Sequence, residues 1–215
     1  MNILFENNDL LVAVKPPELI SEHTERKDGF ADLLAAQNGG YIGVIHRLDR
    51  GVGGVMLYAK SPHAAATLSR AAQEHRLEKV YLAITEGAPN SPAGELRDLL
   101  YYDRQKNKVF PVSRQRKGVK EAILTYETLQ TVRSPENGQP LSLLAVRPIT
   151  GRTHQIRVQF ASRGLPLLGD RRYGGHGACG ISLWCHSITI PADGNAAARR
   201  ISLDPSGLPW EQFEF

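Results

Sequence analysis

AILTYETLQTV, residues 122–132, is followed across Ser134-Pro135-Glu136-Asn137-Gly138 by LSLLAV, residues 141–146. The first segment is rich in β-branched and aromatic residues, the break is made of turn formers, and the second segment is almost wholly apolar. That order reads as a β-hairpin. Strands joined this directly run antiparallel, because parallel neighbours need a long crossover. Working outward, Val80–Thr85 is a strand by β-propensity. Leu10–Val14 is a buried strand ended by Pro16-Pro17. Tyr41–Arg47 and Val55–Ala59 read as strands separated by glycines at 51, 53 and 54, and short strands resume at Ile181–Leu183 and Ser187–Ile190. Helices fit at Asp28–Gln37 with Gly39-Gly40 closing it, at Ala64–Arg76 behind Ser61-Pro62, and at Arg152–Arg163 before Gly164 and Pro166. Strands outnumber helices and often follow one another. The expectation is an α+β fold, a mostly antiparallel or mixed sheet flanked by helices, in one domain spanning 1–215.

Hydrophobic residues make up 41% and charged residues 22% of the 215-residue chain, which argues for a packed domain and against disorder. The net charge of +4 is mild but unevenly spread. Arg97–Lys120 carries a local +6 and Arg147–Arg172 a local +5, so the rest of the chain sums to −7. A single basic run is as well read as a solvated face. Two runs, one of them entirely arginine, point to a phosphate-bearing partner. The stretch Tyr101–Lys120, with little apolar periodicity, reads as an exposed hairpin or loop.

MNILFE at the start lacks the basic leader of a signal peptide, and no apolar run approaches the roughly 20 residues of a membrane helix. Cys179 and Cys185 are too few for a disulfide framework. The expected setting is cytoplasmic, without membrane contact. His46, His154 and His186 are scattered and show no metal-ligand spacing, so no metal is expected. GxSxG, a P-loop and GxGxxG followed by a helix are all missing.

Two segments carry candidate chemistry. In Ile45-His46-Arg47-Leu48-Asp49-Arg50 a carboxylate lies between two arginines just before a glycine turn. Flanking positive charge favours the charged carboxylate, which could serve as nucleophile or base. A surface ion pair is the alternative. In Thr150-Gly151-Arg152-Thr153-His154-Gln155-Ile156-Arg157, helical spacing would place His154 and Arg157 on one face, leaving Arg157 free to reach a carboxylate.

HRLD (46–49), KVYLA (79–83), GRTHQIRV (151–158) and LGDRRYG (168–174) occur in that order. Together they resemble the RluA family of RNA pseudouridine synthases. The resemblance runs from Lys15-Pro16 to about His186, and four ordered motifs are specific where one would be weak. There are departures. The family usually continues HRLD with Thr-Ser-Gly-Leu two residues on, and here Val52 and Gly53 stand at the Thr and Ser positions. Glu18 stands near a position where the family often has glycine. No small N-terminal RNA-binding domain is expected ahead of Leu10, so the catalytic domain would grip RNA through its basic windows.

The resemblance implies a pseudouridine-synthase-like catalytic domain that isomerises specific uridines in ribosomal or transfer RNA. Uracil is detached from its ribose, rotated and rejoined through carbon 5, with no cofactor. It implies Asp49 as the catalytic carboxylate, Arg157 paired with it, and Tyr81 packed against the target base. The uridine must leave its stack. Arg47 would fill the vacated space or hold the backbone. Arg50, Arg152 and His154 would contact RNA, as would Lys106, Lys108, Arg116 and Lys117 in the exposed stretch. The partner expected is RNA, with no obligate protein partner and a monomeric chain. Two other readings compete: a catalytically impaired RNA-binding or ribosome-assembly factor on the same fold, and a small-molecule hydrolase using Asp49 and a histidine.

Overall fold

A computed structural model describes residues 1–25, 27–192 and 197–214. In chain order its elements are β1 (Ile3–Glu6), β2 (Leu10–Lys15), α1 (Phe30–Asn38), β3 (Gly43–Val44), β4 (Gly53–Ala59), α2 (Pro62–Gln73), β5 (Glu78–Glu86), β6 (Ala93–Asp103), β7 (Lys108–Val112), β8 (Val119–Arg133), β9 (Pro140–Pro148), α3 (Gln155–Ala161), β10 (Leu183–Ile190) and β11 (Arg199–Ser202). They fall into two compact units. The first holds Met1–Lys79 and Trp184–Pro205, the second Val80–Leu183 and Ser206–Phe215. Mixed strand pairing with a few helices is the α+β class the sequence implies. No helix among the described residues is long and apolar enough to cross a membrane.

The first unit is organised on β4. β2 pairs antiparallel along one edge, from Leu10↔Ala59 to Lys15↔Gly54, and β10 runs parallel along the other, Trp184 opposite Gly53. β1 extends β2 and β11 extends β10, both antiparallel. All seven residues of β4 are buried, as its continuous apolar run GGVMLYA requires when both faces are covered. Val55, Leu57 and Ala59 pack with Val12, Ile188, Ile190 and the α2 residues Ala64 and Leu68. On the opposite face the Tyr58 ring meets Phe30 of α1 edge-on at 6.2 Å. α2 starts as expected: the Ser61 side chain accepts from Ala64 N–H, with Pro62 at the first helical position. Gly39 ends α1 in the left-handed conformation.

The strand expected at Tyr41–Arg47 shrinks to Gly43–Val44. Beyond Val44 the Leu57 N–H is taken by the His46 side chain, which accepts it at Nε2 over 3.1 Å. A side chain replaces the next rung of the ladder, and the chain leaves the sheet.

The second unit is an antiparallel sheet in the order β5-β9-β8-β6-β7. The expected hairpin is its centre: β8 and β9 pair from Arg133↔Pro140 to Leu124↔Pro148, with an irregularity between Thr128 and Gln130. β6 and β7 form a second hairpin closed near Asp103↔Lys108, so the exposed basic stretch is built on a hairpin followed by a loop before Val119. α3 lays Val158 against Leu100, Val109 and Ala122, and Phe160 meets Tyr126 edge-on at 5.5 Å.

The helix expected over Arg152–Arg163 is shorter, Gln155–Ala161. The Gln155 side chain explains the late start. Its Oε1 accepts from the Thr150 hydroxyl (2.8 Å) and from Arg152 N–H (2.9 Å), and its Nε2 donates to the Ile123 carbonyl (3.0 Å). These bonds fix residues 150–154 as a loop. His154, at φ 50°, is therefore the left-handed residue preceding the helix rather than a helical neighbour of Arg157.

Candidate active site

Asp49, Arg47 and Arg50 lie in the first unit, on the segment between β3 and β4. Leu48 beside Asp49 is buried and fixed at both backbone groups by one side chain: its N–H donates to Ser21 Oγ (3.0 Å), whose hydroxyl donates to the Leu48 carbonyl (2.8 Å). Val52 N–H closes a turn on the Asp49 carbonyl at 3.0 Å. The two flanking arginines are directed to other carboxylates. Arg47 Nη1 is 2.7 Å from Glu22 Oε1, and Arg50 Nη2 is 3.3 Å from Glu18 Oε2. A cation that sequence reading passed over is Lys15, at the end of β2. It is fully buried, its Nζ donating to the Pro16 carbonyl (2.9 Å) and the Leu19 carbonyl (2.7 Å). Burial pushes its pKa down to about 8, against the opposing pull of Asp49 and Glu18. A lysine ending an apolar strand just before Pro16-Pro17 was the available signal.

The departures at Gly53 and Glu18 have physical accounts; the one at Val52 has none in the structure. At Gly53 an added Cβ would come within 2.6 Å of the Trp184 ring and 2.9 Å of Pro17 Cδ. The ring fills the room a serine side chain would need. Glu18 sits at φ 71°, the left-handed region that glycine tolerates best. Arg50 compensates: its carbonyl accepts from Glu18 N–H (2.7 Å), its Nε donates to the Glu18 carbonyl (3.2 Å), and its guanidinium meets the Glu18 carboxylate.

His46, half-buried, has its pKa lowered to about 3 by desolvation first and by Lys79 second. It is a neutral imidazole whose Nε2 is engaged as an acceptor, which gives it a structural job in HRLD.

The second unit holds the remaining predicted residues. Tyr81, 8% exposed, sits in β5 opposite Val146. Arg157 is buried in α3, and it is not the unengaged arginine that helical spacing alone implies. Its Nε is 2.7 Å from Asp170 Oδ2 and its Nη2 2.9 Å from Oδ1, a two-pronged pair with side chains 5% and 1% exposed. The Arg157 guanidinium carbon also lies 5.2 Å from the centre of the Tyr173 ring. The Tyr173 hydroxyl meets His154 Nδ1 at 2.8 Å and accepts from Val109 N–H at 2.9 Å. Asp170 and Tyr173 both belong to LGDRRYG, so the motif was legible and their roles within it were not.

Of the basic stretch, Lys106, Arg116 and Lys117 are exposed and Lys108 half-buried. Lys106 and Lys108 lie 5.8 and 5.7 Å from the Phe110 ring centre, and Arg116 lies 4.9 Å from that of Tyr101. Beside them is an open groove of about 670 Å3 lined by Pro111, Val112, Ser113, Arg114 and Arg116. Arg152 donates from Nε to the Glu121 carbonyl at 2.8 Å. Not all the charge in the two windows is available to a partner: Arg97 is engaged by Glu95 and Glu121, and Arg163 by Asp98.

Residues 9–162 match the family model described as RNA pseudouridylate synthase. The chain belongs to this family. Among curated proteins, it is 35% identical over 184 residues to an uncharacterized RNA pseudouridine synthase of Aquifex aeolicus, covering 81% of this chain and 56% of that one. It is 36% identical over 153 residues to ribosomal large subunit pseudouridine synthase D of Borreliella burgdorferi, covering 70% of this chain and 44% of the relative. The chain thus spans about half the length of these two relatives. Among solved structures, human RNA pseudouridylate synthase domain containing 1 matches with a TM-score of 0.79 at 22% identity, over 97% of this chain and 84% of that one. That likeness extends the pseudouridylate synthase fold over nearly the whole chain.

Proposed function

We propose that this chain isomerises specific uridines of structured RNA to pseudouridine. Membership of the pseudouridylate synthase family, with HRLD, KVYLA, GRTHQIRV and LGDRRYG all in place, is the observation that carries the reading. In this mechanism Asp49 is the catalytic carboxylate and Arg157 pairs with it. The two-pronged Asp170 contact and the Tyr173 ring hold the Arg157 guanidinium in one orientation, so little reordering is needed when substrate arrives. Tyr81 packs against the target uracil. The uracil leaves its stack at a cost of a few kcal/mol in paired RNA, and Arg47 fills the space or holds the backbone. The N-glycosidic bond breaks, the base turns in place, a bond from carbon 5 to the ribose replaces it, and the proton lost from carbon 5 is balanced by one gained at N1. Reactants and product are isomers, so the chemistry consumes no cofactor.

Arg50, Arg152, His154, Lys106, Lys108, Arg116 and Lys117 contact the RNA, mainly at phosphates, which makes the grip salt-dependent. Ribosomal RNA is the first substrate class to test, on the strength of the Borreliella relative's name; transfer RNA is the second. The enzyme acts in the cytoplasm as a monomer. The competing reading, an RNA-binding factor without turnover, rests on Val52 and Gly53. It is weakened by the Trp184 ring, which occupies the space that a serine side chain at position 53 would need.

Asp49→Asn should abolish pseudouridine formation while RNA binding persists, read by carbodiimide mapping and mass spectrometry of total RNA from a deletion strain. Turnover by the variant would remove Asp49 from its role. Positions that regain pseudouridine with the wild-type chain identify the RNA.

A further inference from the structure

The segment Asp170–Tyr173 of the second unit touches two things at once. Towards α3 it holds Arg157 twice, by the Asp170 carboxylate and by the Tyr173 ring. Towards the β6–β7 hairpin it also holds twice: the Tyr173 hydroxyl accepts from Val109 N–H at 2.9 Å, and Arg172 Nη1 donates to the Asn107 carbonyl at 2.7 Å. The segment is stiffened by Tyr173 N–H and Gly175 N–H, which both donate to the Asp170 carbonyl.

The Tyr173 ring is shared by two cations. Lys108 Nζ and the Arg157 guanidinium carbon each lie 5.2 Å from its centre. The face of an aromatic ring attracts a cation, so a ring held in place holds the cations set against it. An RNA phosphate bound by Lys108 fixes that ammonium against the ring, and the hydroxyl contacts with Val109 N–H and His154 Nδ1 fix the ring's edge, so the Arg157 guanidinium is held more firmly when RNA is on the hairpin than when it is not.

We propose that Tyr173 is a positioning residue that couples phosphate binding at Lys108 on the hairpin to the orientation of Arg157. The inference rests on the synthase reading above. Its content is that the hairpin contributes to the rate of the chemical step as well as to RNA affinity.

The test is single-turnover pseudouridine formation in total RNA from a deletion strain, measured as enzyme concentration is raised. This separates the plateau rate from the half-saturating concentration. Tyr173→Phe keeps the ring and loses the hydroxyl; it should lower the plateau about tenfold, with half-saturation within about twofold of wild type. Lys108→Gln should lower the plateau and weaken binding. In the double variant the plateau losses should fall short of multiplying, because both substitutions cut one linkage. Plateau losses that multiply, or a Tyr173→Phe plateau equal to wild type, would overturn the coupling while leaving the synthase reading intact. Thermal melting of each variant separates unfolding from uncoupling: a plateau loss that tracks a loss of folded protein also overturns it. An inactive wild-type chain, by contrast, overturns the synthase reading and this inference with it.

Discussion

The segment carrying Asp49 and the segment carrying Arg157 are stabilised by opposite means. The ion pairs made by the two arginines flanking Asp49 are exposed: the Arg47 and Arg50 side chains are 69% and 64% accessible. What fixes that loop is neutral and buried, namely the Ser21 hydroxyl on both backbone groups of Leu48 and the turn closed by Val52 N–H. Around Arg157 the ion pair itself is buried, and the helix is only seven residues long. Exposed pairs contribute about 0–1 kcal/mol, whereas removing one partner of a buried pair costs about 3–5 kcal/mol. Charge beside a carboxylate in the sequence thus says little about what fixes the backbone that carries it. The Ser21 side chain behind the loop says more.

The largest effect should come from Asp170. Asp170→Ala leaves a buried guanidinium without its fork and should cost about 3–5 kcal/mol in denaturant unfolding, with turnover lost as well. A loss under about 1 kcal/mol would erase the contrast between the two segments. Next is Ser21→Ala, which strips hydrogen bonds from a buried N–H and C=O; about 1–3 kcal/mol is expected in the same assay. A third test uses acid. His46 is neutral in the fold down to about pH 3, while in the unfolded chain it takes up a proton near 6.5. The unfolded state therefore binds more protons between those values, and stability falls as pH drops through that window. His46→Gln should flatten that slope, seen as a melting temperature less sensitive to acid between pH 6.5 and about 4; an unchanged slope would mean His46 is not the group responsible. The smallest effect belongs to Glu18→Gly. It relieves a left-handed backbone worth about 1–2 kcal/mol but adds unfolded-state freedom and loses an exposed pair, so the net change should be within about 1 kcal/mol. A larger loss would show that the Arg50 contact holds the turn more strongly than an exposed pair can.

The sheet was legible where side-chain type is decided by burial. The 122–146 hairpin, Leu10–Val14 and the β4 core declared themselves by β-branched and apolar runs. It was not legible where the backbone partner is a side chain. His46 replacing a rung beyond Val44, and Gln155 tying down residues 150–154, shorten a strand and a helix without any mark in periodicity. β11, read as RRIS, joins the sheet through its backbone pairing with β10 and carries no apolar pattern. In the site, the motif residues were found through resemblance. Lys15, Asp170 and Tyr173 were missed as participants because their partners, the Pro16 and Leu19 carbonyls, Arg157 and Val109, are chosen by the fold, and for Tyr173 the partner lies 64 residues away.

The Trp184 ring against Gly53 binds two positions into one decision. Placing serine at position 53 first meets the ring, and shrinking Trp184 first opens a gap beside a buried strand end and abandons its bond from Nε1 to the Leu203 carbonyl. Either step taken alone loses a contact that the present pair makes. Pro17 Cδ, 2.9 Å from the same added Cβ, presses on the same spot, so engineering the family's usual serine into this chain means reshaping the surroundings of position 53 along with it.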